Sequence, residues 1–595
     1  MTRLAQVVFG LLLLACFGAF FVSQRLKQSP RVVRALTITS LFSPNGDNRR
    51  ERASIRLELD RSDDVTVRII DENGDAVRTL VDDRRFPARQ PIQLYWNGRA
   101  DDNAVVPDGT YRVRVTLRDA GRSAVFAREI TVDTTPPRPL VFVTSPAGPG
   151  PAVVQPGQPV TFRFTGPLRL PARVFVFRTD EGGSKLVTQF RGAPGARVLQ
   201  WNGRVGGAPA PPGLYVISVK LRDRASNAAF SPILRPATAA DPRGRPGVTV
   251  RRLGVTAPAG PTLAGRRAVF RIQSFGRPYA WQIRRIGYAR PLRRPGSRGT
   301  GRGPLLQVAA PRARSGLYLL DVTAAGYRQT VPFPVQGPGK QKVLVVLPVI
   351  AWQGRNPQDD TGDGIPNTLP RGGPAGIERP YSPVGARGRG LPIGFGNNEG
   401  PLLDFFDRAG FRYDLTTDVA LQRGEGPALK GHTGVVLAGN PRWLTPELGR
   451  RLRRWVRAGG RAFSLGTASL LRTARIDADQ LVDPSGAAAQ DIFGARIGPV
   501  VSGAEPVLAY EDALGLFVGG DGQFTGYPRR EATTGWAGGR VVSAAGVEQG
   551  TPVIVGARVG KGVVVRPGLA RFALTMKTNP NASAMTRRTW TLLQG

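Results

Sequence analysis

Two hydrophobic periods divide this chain. In its first half apolar and polar residues alternate: Tyr111, Val113 and Val115 fall on one side and Arg112, Arg114 and Thr116 on the other, as in a half-buried strand. From Lys342 onward, apolar runs of strand length alternate with amphipathic helical patterns. Val343 to Ile350 is an almost unbroken apolar run that opens into a Gly, Pro, Asn and Asp loop reaching Asn367. That pattern suits a parallel strand buried on both faces, and α/β domains keep their sites in the loops such strands feed. Gly400-Pro401 starts a helix through Leu402, Leu403, Phe405 and Phe406, with proline where a missing N–H costs nothing. Strands are expected over 411–416, 434–438 and 461–465. Thr445-Pro446-Glu447 caps a helix whose Leu448, Leu452, Trp455 and Val456 form one apolar face. Residues 553–569 read as a hairpin turning at Gly560-Lys561-Gly562. The alternation predicts an α/β domain over 337–595, with a parallel sheet covered by helices.

The first half repeats itself. QLYWNGRADDNAVVPDGTYRVRVTLRD at 93–119 aligns with VLQWNGRVGGAPAPPGLYVISVKLRD at 198–223 after a one-residue deletion. Each copy runs from Trp-Asn-Gly-Arg through a Pro/Gly turn to a tyrosine that opens an alternating strand. Short strands at this spacing predict tandem antiparallel β-sandwiches over 36–140 and 141–240. A third β-rich segment, 241–336, repeats the Gly-Leu-Tyr turn at Gly316. Ahead of them, Leu4 to Val22 is apolar except for Gln6, nineteen residues that would span roughly 28 Å as a helix. The expected fold is therefore multidomain: an N-terminal transmembrane helix (1–35), three sandwich-like domains and a terminal α/β domain. The reading taken is a single-pass cell-membrane anchor with the bulk of the chain extracellular, since long domains translocate largely regardless of flanking charge.

The net charge of +40 is unevenly placed. Residues 36–140 carry 17 basic and 17 acidic side chains, whereas 141–336 carry 30 and 5. From Pro242 to Leu320 there are 17 arginines and no Asp, Glu or Lys. Seven of them lie between Arg284 and Arg302, interleaved upstream with Tyr279, Trp281 and Tyr288. An anionic envelope polymer or a lipid surface is the partner this stretch suggests, against a solvated loop. No nucleic-acid motif accompanies it. Cys16 is the only cysteine and His432 the only histidine, which excludes a disulfide framework and a cysteine nucleophile downstream. His432 precedes a strand, at the end of the sheet opposite to where α/β sites lie.

SPNGDN at Ser43, ENGDAVRTL at Glu72 and WNGR followed by VPDGTYRVRV resemble the immunoglobulin-like domain of flagellar hook-capping proteins and bacterial surface proteins. Such modules mostly act as spacers or adhesion units. SGLY with VPFPV (315–335), KVLVVLPVIAWQGRN (342–356), LAGNPRW (437–443) and WVRAGGRAFSLG (455–466) resemble the carboxyl-terminal domain of the N,N-dimethylformamidase large subunit, of glutamine-amidotransferase-like fold. That resemblance implies an iron held by two tyrosines and a glutamate, with the tyrosines in the loops after the first strand and after the strand at 434–438. Those loops read Trp352 to Asn356 and Asn440 to Trp443, without tyrosine.

The candidate ligand site is therefore set in the loops after three strands: Trp352, Arg355 and Asn356; Asn440, Arg442 and Trp443; and Thr467. Two tryptophans and two arginines favour an anionic or planar ligand. Asp359, Thr361, Asp363 and Asn367 have the alternate-residue oxygen spacing of a calcium loop, without the bidentate glutamate of an EF-hand. Ca²⁺ is the one candidate cofactor, and a solvated Asp/Gly turn is the alternative. The expected function is a degenerate amidase-like ligand-binding domain presented by Ig-like spacers. The alternative is a metal-dependent hydrolase of amide C–N bonds.

Overall fold

A computed structural model describes residues 3–27, 33–148, 150–168, 170–232, 243–383 and 390–595. Strand is the dominant element, at 42% against 13% helix, so the chain is mostly β. The N-terminal helix runs Arg3–Lys27. Among the described residues no helix is long and apolar enough to cross a membrane, which corrects the transmembrane expectation.

Three sandwiches follow, each a three-stranded sheet facing a larger one, in the same strand order. In the first, Val33–Ile38, Ala53–Leu59 and Pro91–Trp96 form the small sheet. Its large sheet is centred on Gly109–Leu117 between Asp63–Ile70 and Ile130–Val132. The repeat seen in the sequence recurs atom by atom. Trp96 Nε1 donates to the Arg99 carbonyl and Trp201 Nε1 to that of Arg204, both at 3.0 Å. Tyr111 and Tyr215 each donate to a proline carbonyl four residues upstream, Pro107 at 2.9 Å and Pro211 at 2.7 Å. Burying these large rings is favourable because each polar tip finds an acceptor inside its own turn.

In every copy a short early strand pairs in parallel with the last strand: Leu41 with Thr131, Ala152 with Val248, and Thr262 with Val335. The strand Gly247–Val250 thus completes the second sandwich, whose sheet reaches past residue 240. The expected junction at 240–241 itself lies outside the described residues.

The terminal unit differs from a simple parallel α/β domain. Its nine-stranded sheet is mixed. Asp414–Thr417, Val343–Leu347, Gly434–Leu437, Arg461–Ser464 and Gly562–Pro567 run parallel in that spatial order. Pro552–Val559, Arg540–Gly546, Val507–Asp512 and Gln523–Phe524 then extend it antiparallel. The expected hairpin is the joint between the halves: without a crossover helix, its two-residue turn at Gly560-Lys561 has to reverse the strand. Helices Glu399–Arg408 and Pro446–Arg457 stand where the sequence puts them, the second capped by Thr445 Oγ1, which accepts from Leu448 N at 3.2 Å.

The third sandwich and this sheet share one hydrophobic core, in which Phe270 and Phe333 are continuous with Val345, Phe406 and Trp590. Across their junction, Arg285 makes a two-pronged bond to the buried Asp407 at 2.5 and 2.8 Å. Gln336 donates to Asp414 and accepts from Leu415 N.

Candidate functional site

The loops at the carboxyl ends of the parallel strands come together, as the topology requires. Trp352 lies in the short helix Val349–Gly354, is buried, and packs edge-to-face on Phe395 with ring centroids 5.9 Å apart. Arg355 caps that helix and is half-buried. Its guanidinium has no hydrogen bond or ion pair among the described residues. Burial lowers its pKa and the Glu399 carboxylate opposes that shift.

The second loop follows the strand Gly434–Leu437. Asn440 Oδ1 and Trp443 Nε1 are buried without a partner, and so is Nε of the half-buried Arg442. Burial lowers the Arg442 pKa, and the nearby charge of Arg355 lowers it further. The third loop lies against the second, since a side chain at Gly466 would come within 2.7 Å of Asn440 Cα. Thr467, half-buried, stands between Gly466 at φ +87° and Ala468 at φ +50°. Leu470 is also left-handed, at φ +59°. Glu531 holds this strained turn by accepting from Ala468 N at 2.6 Å, while Arg566 and Asp491 complete a buried charged group around Glu531.

Asn356 serves the scaffold instead. Its Nδ2 donates to Gln353 Oε1 and the Pro380 carbonyl, and its Oδ1 accepts from Ser382 N at 2.9 Å, so all its polar atoms are engaged in bracing the long loop. The buried Arg379 pins the same loop through the carbonyls of Gln353, Asn356 and Asn367 and through Asp360 at 2.6 Å.

Sequence reasoning missed the acid at the centre. Glu399 opens its helix, is 2% exposed, and lies directly beneath Gly439. Burial raises its pKa, opposed by the Asn440 N–H and by Arg355. The Trp352 indole points toward it without completing a hydrogen bond, and Glu399 Oε2 is also unpartnered. Behind it Asp418, pushed up to about 8 by burial, accepts from Ile350 N at 3.1 Å. Tyr381 lies within the electrostatic reach of both acids. A helix-initial Glu beside a Gly-Pro start reads as ordinary capping, so no sequence pattern marked Glu399.

The acidic loop sits elsewhere and its oxygens face N–H groups. Asp359 is buried and accepts from the backbone N–H of Thr361, Gly362 and Gly364 at 2.7 to 3.0 Å, while Asn367 Oδ1 accepts from Asp360 N. Asp363 accepts from Ile365 N. The loop is docked on the second sandwich: Gly247 N donates to the Gly362 carbonyl at 2.8 Å and Thr179 Oγ1 to that of Gly364 at 2.5 Å. Among the described residues no group of three or more His, Cys, Asp or Glu side chains is gathered to hold a metal. His432 Nε2 lies 3.0 Å from Asp414 Oδ2, at the opposite end of the sheet from the arginines.

Comparison with known families follows this division of the chain. The family model described as FlgD Ig-like domain matches residues 45–121. The one described as N,N-dimethylformamidase beta subunit-like, C-terminal, matches 305–491. The chain thus combines a segment similar to the FlgD immunoglobulin-like domain with one similar to the C-terminal part of the dimethylformamidase beta subunit-like family. No curated protein matches it. Similar solved structures include chicken CNTN1 FN1-FN3 domains, at 11% identity over 51% of this chain and 97% of that one, TM-score 0.17. Fibronectin(III)-like modules of Clostridium thermocellum CbhA match at 15% identity over 37% and 92%, TM-score 0.18. The I9-I11 tandem from titin matches at 9% over 51% and 100%, TM-score 0.19. An iron held by two phenolates and a carboxylate does not fit these residues, because tryptophan and arginine occupy the two loops that would supply the tyrosines.

Proposed function

We propose that the terminal domain is a ligand-binding module that takes a small anionic group between Arg355 and Arg442, with the sandwiches as spacers. One observation carries this reading: the half-buried Arg442 feels the charge of Arg355, and although Glu399 acts on Arg355 and Glu531 on Arg442, neither guanidinium has an ion pair or side-chain hydrogen bond among the described residues. Like charges held together with little water are unfavourable, and an anion between them removes the penalty. The unpartnered Arg442 Nε and the indole N–H of Trp443 are further donors with nothing to bind. Titration calorimetry on the full chain with sulfate, acetate and malonate tests the reading. At least one anion should bind, and Arg442→Gln should weaken it more than tenfold. Binding unchanged in both Arg355→Gln and Arg442→Gln would contradict it.

A hydrolase of amide bonds is the second reading, favoured by the family match over 305–491 and by the buried acid Glu399. Fold similarity alone is weak support for chemistry. Turnover of small amides that is lost in Glu399→Gln but kept in Arg442→Gln would favour this reading over the first.

A further inference from the structure

Asp321 is the only acidic residue between Pro242 and Gln358. The third sandwich holds it 3% exposed, on the sheet face turned away from Leu320 and Val322, at the floor of an open pocket of about 600 Å³. Gln282, Asp321 and Thr330 stand side by side on the neighbouring strands Tyr279–Arg285, Gly316–Ala324 and Tyr327–Gln336, and Thr323 and Arg328 form the next row. Thr330 Oγ1 donates to Asp321 Oδ1 at 2.6 Å, while Arg284 Nε and Gln282 Nε2 donate to Oδ2 at 3.1 and 3.3 Å. This network fixes the floor of the pocket.

The other sandwiches do not repeat it. GLYLLD at 316–321 aligns with GLYVIS at 213–218 and GTYRVR at 109–114, which puts Ser218 and Arg114 where Asp321 stands. Ser218 gives its hydroxyl to the Pro232 carbonyl, and Arg114 reaches the Gly74 carbonyl. Their neighbours across the strand pair are Phe175 and Arg68, where the third copy has Gln282. The fold therefore needs no acid at this position, and burying one costs free energy even among donors. What the acid and its row supply is a polar floor for something the sandwich itself does not contain.

We propose that this pocket binds a hexuronate, a sugar carrying one carboxylate. Among the described residues the terminal nitrogens of Arg284, the Arg328 guanidinium, the Thr323 hydroxyl and Gln282 Oε1 have no partner, so the wall offers both donors and acceptors. Two guanidiniums and one carboxylate leave a single net positive charge. That suits a monoanion held by the arginines, whereas a phosphate dianion would meet Asp321. The acceptors suit hydroxyl groups. No aromatic or large aliphatic side chain lines the wall, so neither a planar ring nor an acyl chain has a surface to lie on. The volume falls in the range of small-molecule sites, about 300 to 1,000 Å³.

Titration calorimetry on the full chain with galacturonate and glucuronate tests this, with glucose and glucose 6-phosphate run beside them. Each titration is repeated in the Arg442→Gln chain, so that a carboxylate held between Arg355 and Arg442 is not counted. At least one uronate should bind both chains with the same affinity, and more tightly than glucose or glucose 6-phosphate. Arg328→Gln should weaken it by more than about tenfold and Thr323→Val by about two- to tenfold, the scales of a charged and a neutral hydrogen bond. Both substitutions leave the Asp321 network intact, so the fold is kept. Arg68→Gln, on the matching face of the first sandwich, should change nothing. The proposal is overturned if no uronate binds the Arg442→Gln chain, or if glucose or glucose 6-phosphate binds as tightly as the uronate. It is overturned equally if either pocket variant keeps full affinity, or if Arg68→Gln loses as much as Arg328→Gln.

Discussion

The Glu399 carboxylate fills the space beneath Gly439, where a Cβ would meet Oε1 at 1.7 Å. Gly439 is also left-handed, at φ +70°, so the position is closed to other residues by both space and backbone. Gly439→Ala should destabilise the terminal domain by about 2 to 4 kcal/mol, combining overpacking with a left-handed alanine. Chemical denaturation measures this. A loss within experimental scatter would mean that Glu399 moves aside freely.

Asp359 braces the loop whose Gly362 and Gly364 carbonyls dock on the second sandwich, and it titrates in a useful range. Burial and the neighbouring Asp363 push it up to about 6, against an ordinary value of 3.8, and three backbone N–H bonds only partly oppose them. The folded state therefore holds this proton more tightly than the unfolded chain. Its contribution to stability is fully present below pH 4 and is lost as pH rises through 6. Asp359→Asn cannot titrate, so the stability gap between the two proteins should shift by roughly 3 kcal/mol in the variant's favour between pH 4 and 7. A gap that does not change with pH would refute the assignment.

Arg285 and Asp407 tie the third sandwich to the terminal sheet. Arg285→Ala leaves a buried carboxylate with only Tyr413 and a distant Arg314, 4.0 Å away, a change that typically costs about 3 to 5 kcal/mol. Because the two units share a core, calorimetry should show them melting in one transition, lowered by the substitution, with the transition of the first sandwich unmoved. Separate melting of residues 254–336 would contradict the shared core.

The repeat was legible because Trp96 and Trp201 each need the same turn to satisfy the indole, so the sequence around them is constrained. Caps such as Thr445 were legible for the same local reason. The antiparallel half of the sheet was not, because Arg540–Gly546 and Pro552–Val559 are small and apolar without a period that tells parallel from antiparallel neighbours. The Asp359 loop shows a different limit. Alternating acidic oxygens suit either a cation or the loop's own N–H groups, and only docking onto Gly247 and Thr179 reveals the donors they meet. For the proposed ligand site, strand order was enough to place Arg355, Arg442 and both tryptophans in loops at the same end of the sheet. Asn356 was assigned to the wrong task because its partners at Pro380 and Ser382 lie far along the chain.

The anion site is tested most directly by diffraction from crystals soaked in selenate, recorded at the selenium edge. The account expects an anomalous peak within hydrogen-bonding distance of both the Arg355 and Arg442 guanidiniums, absent from crystals of Arg442→Gln. Selenate bound elsewhere on the chain, with the two guanidiniums turned apart and no peak between them, would contradict it.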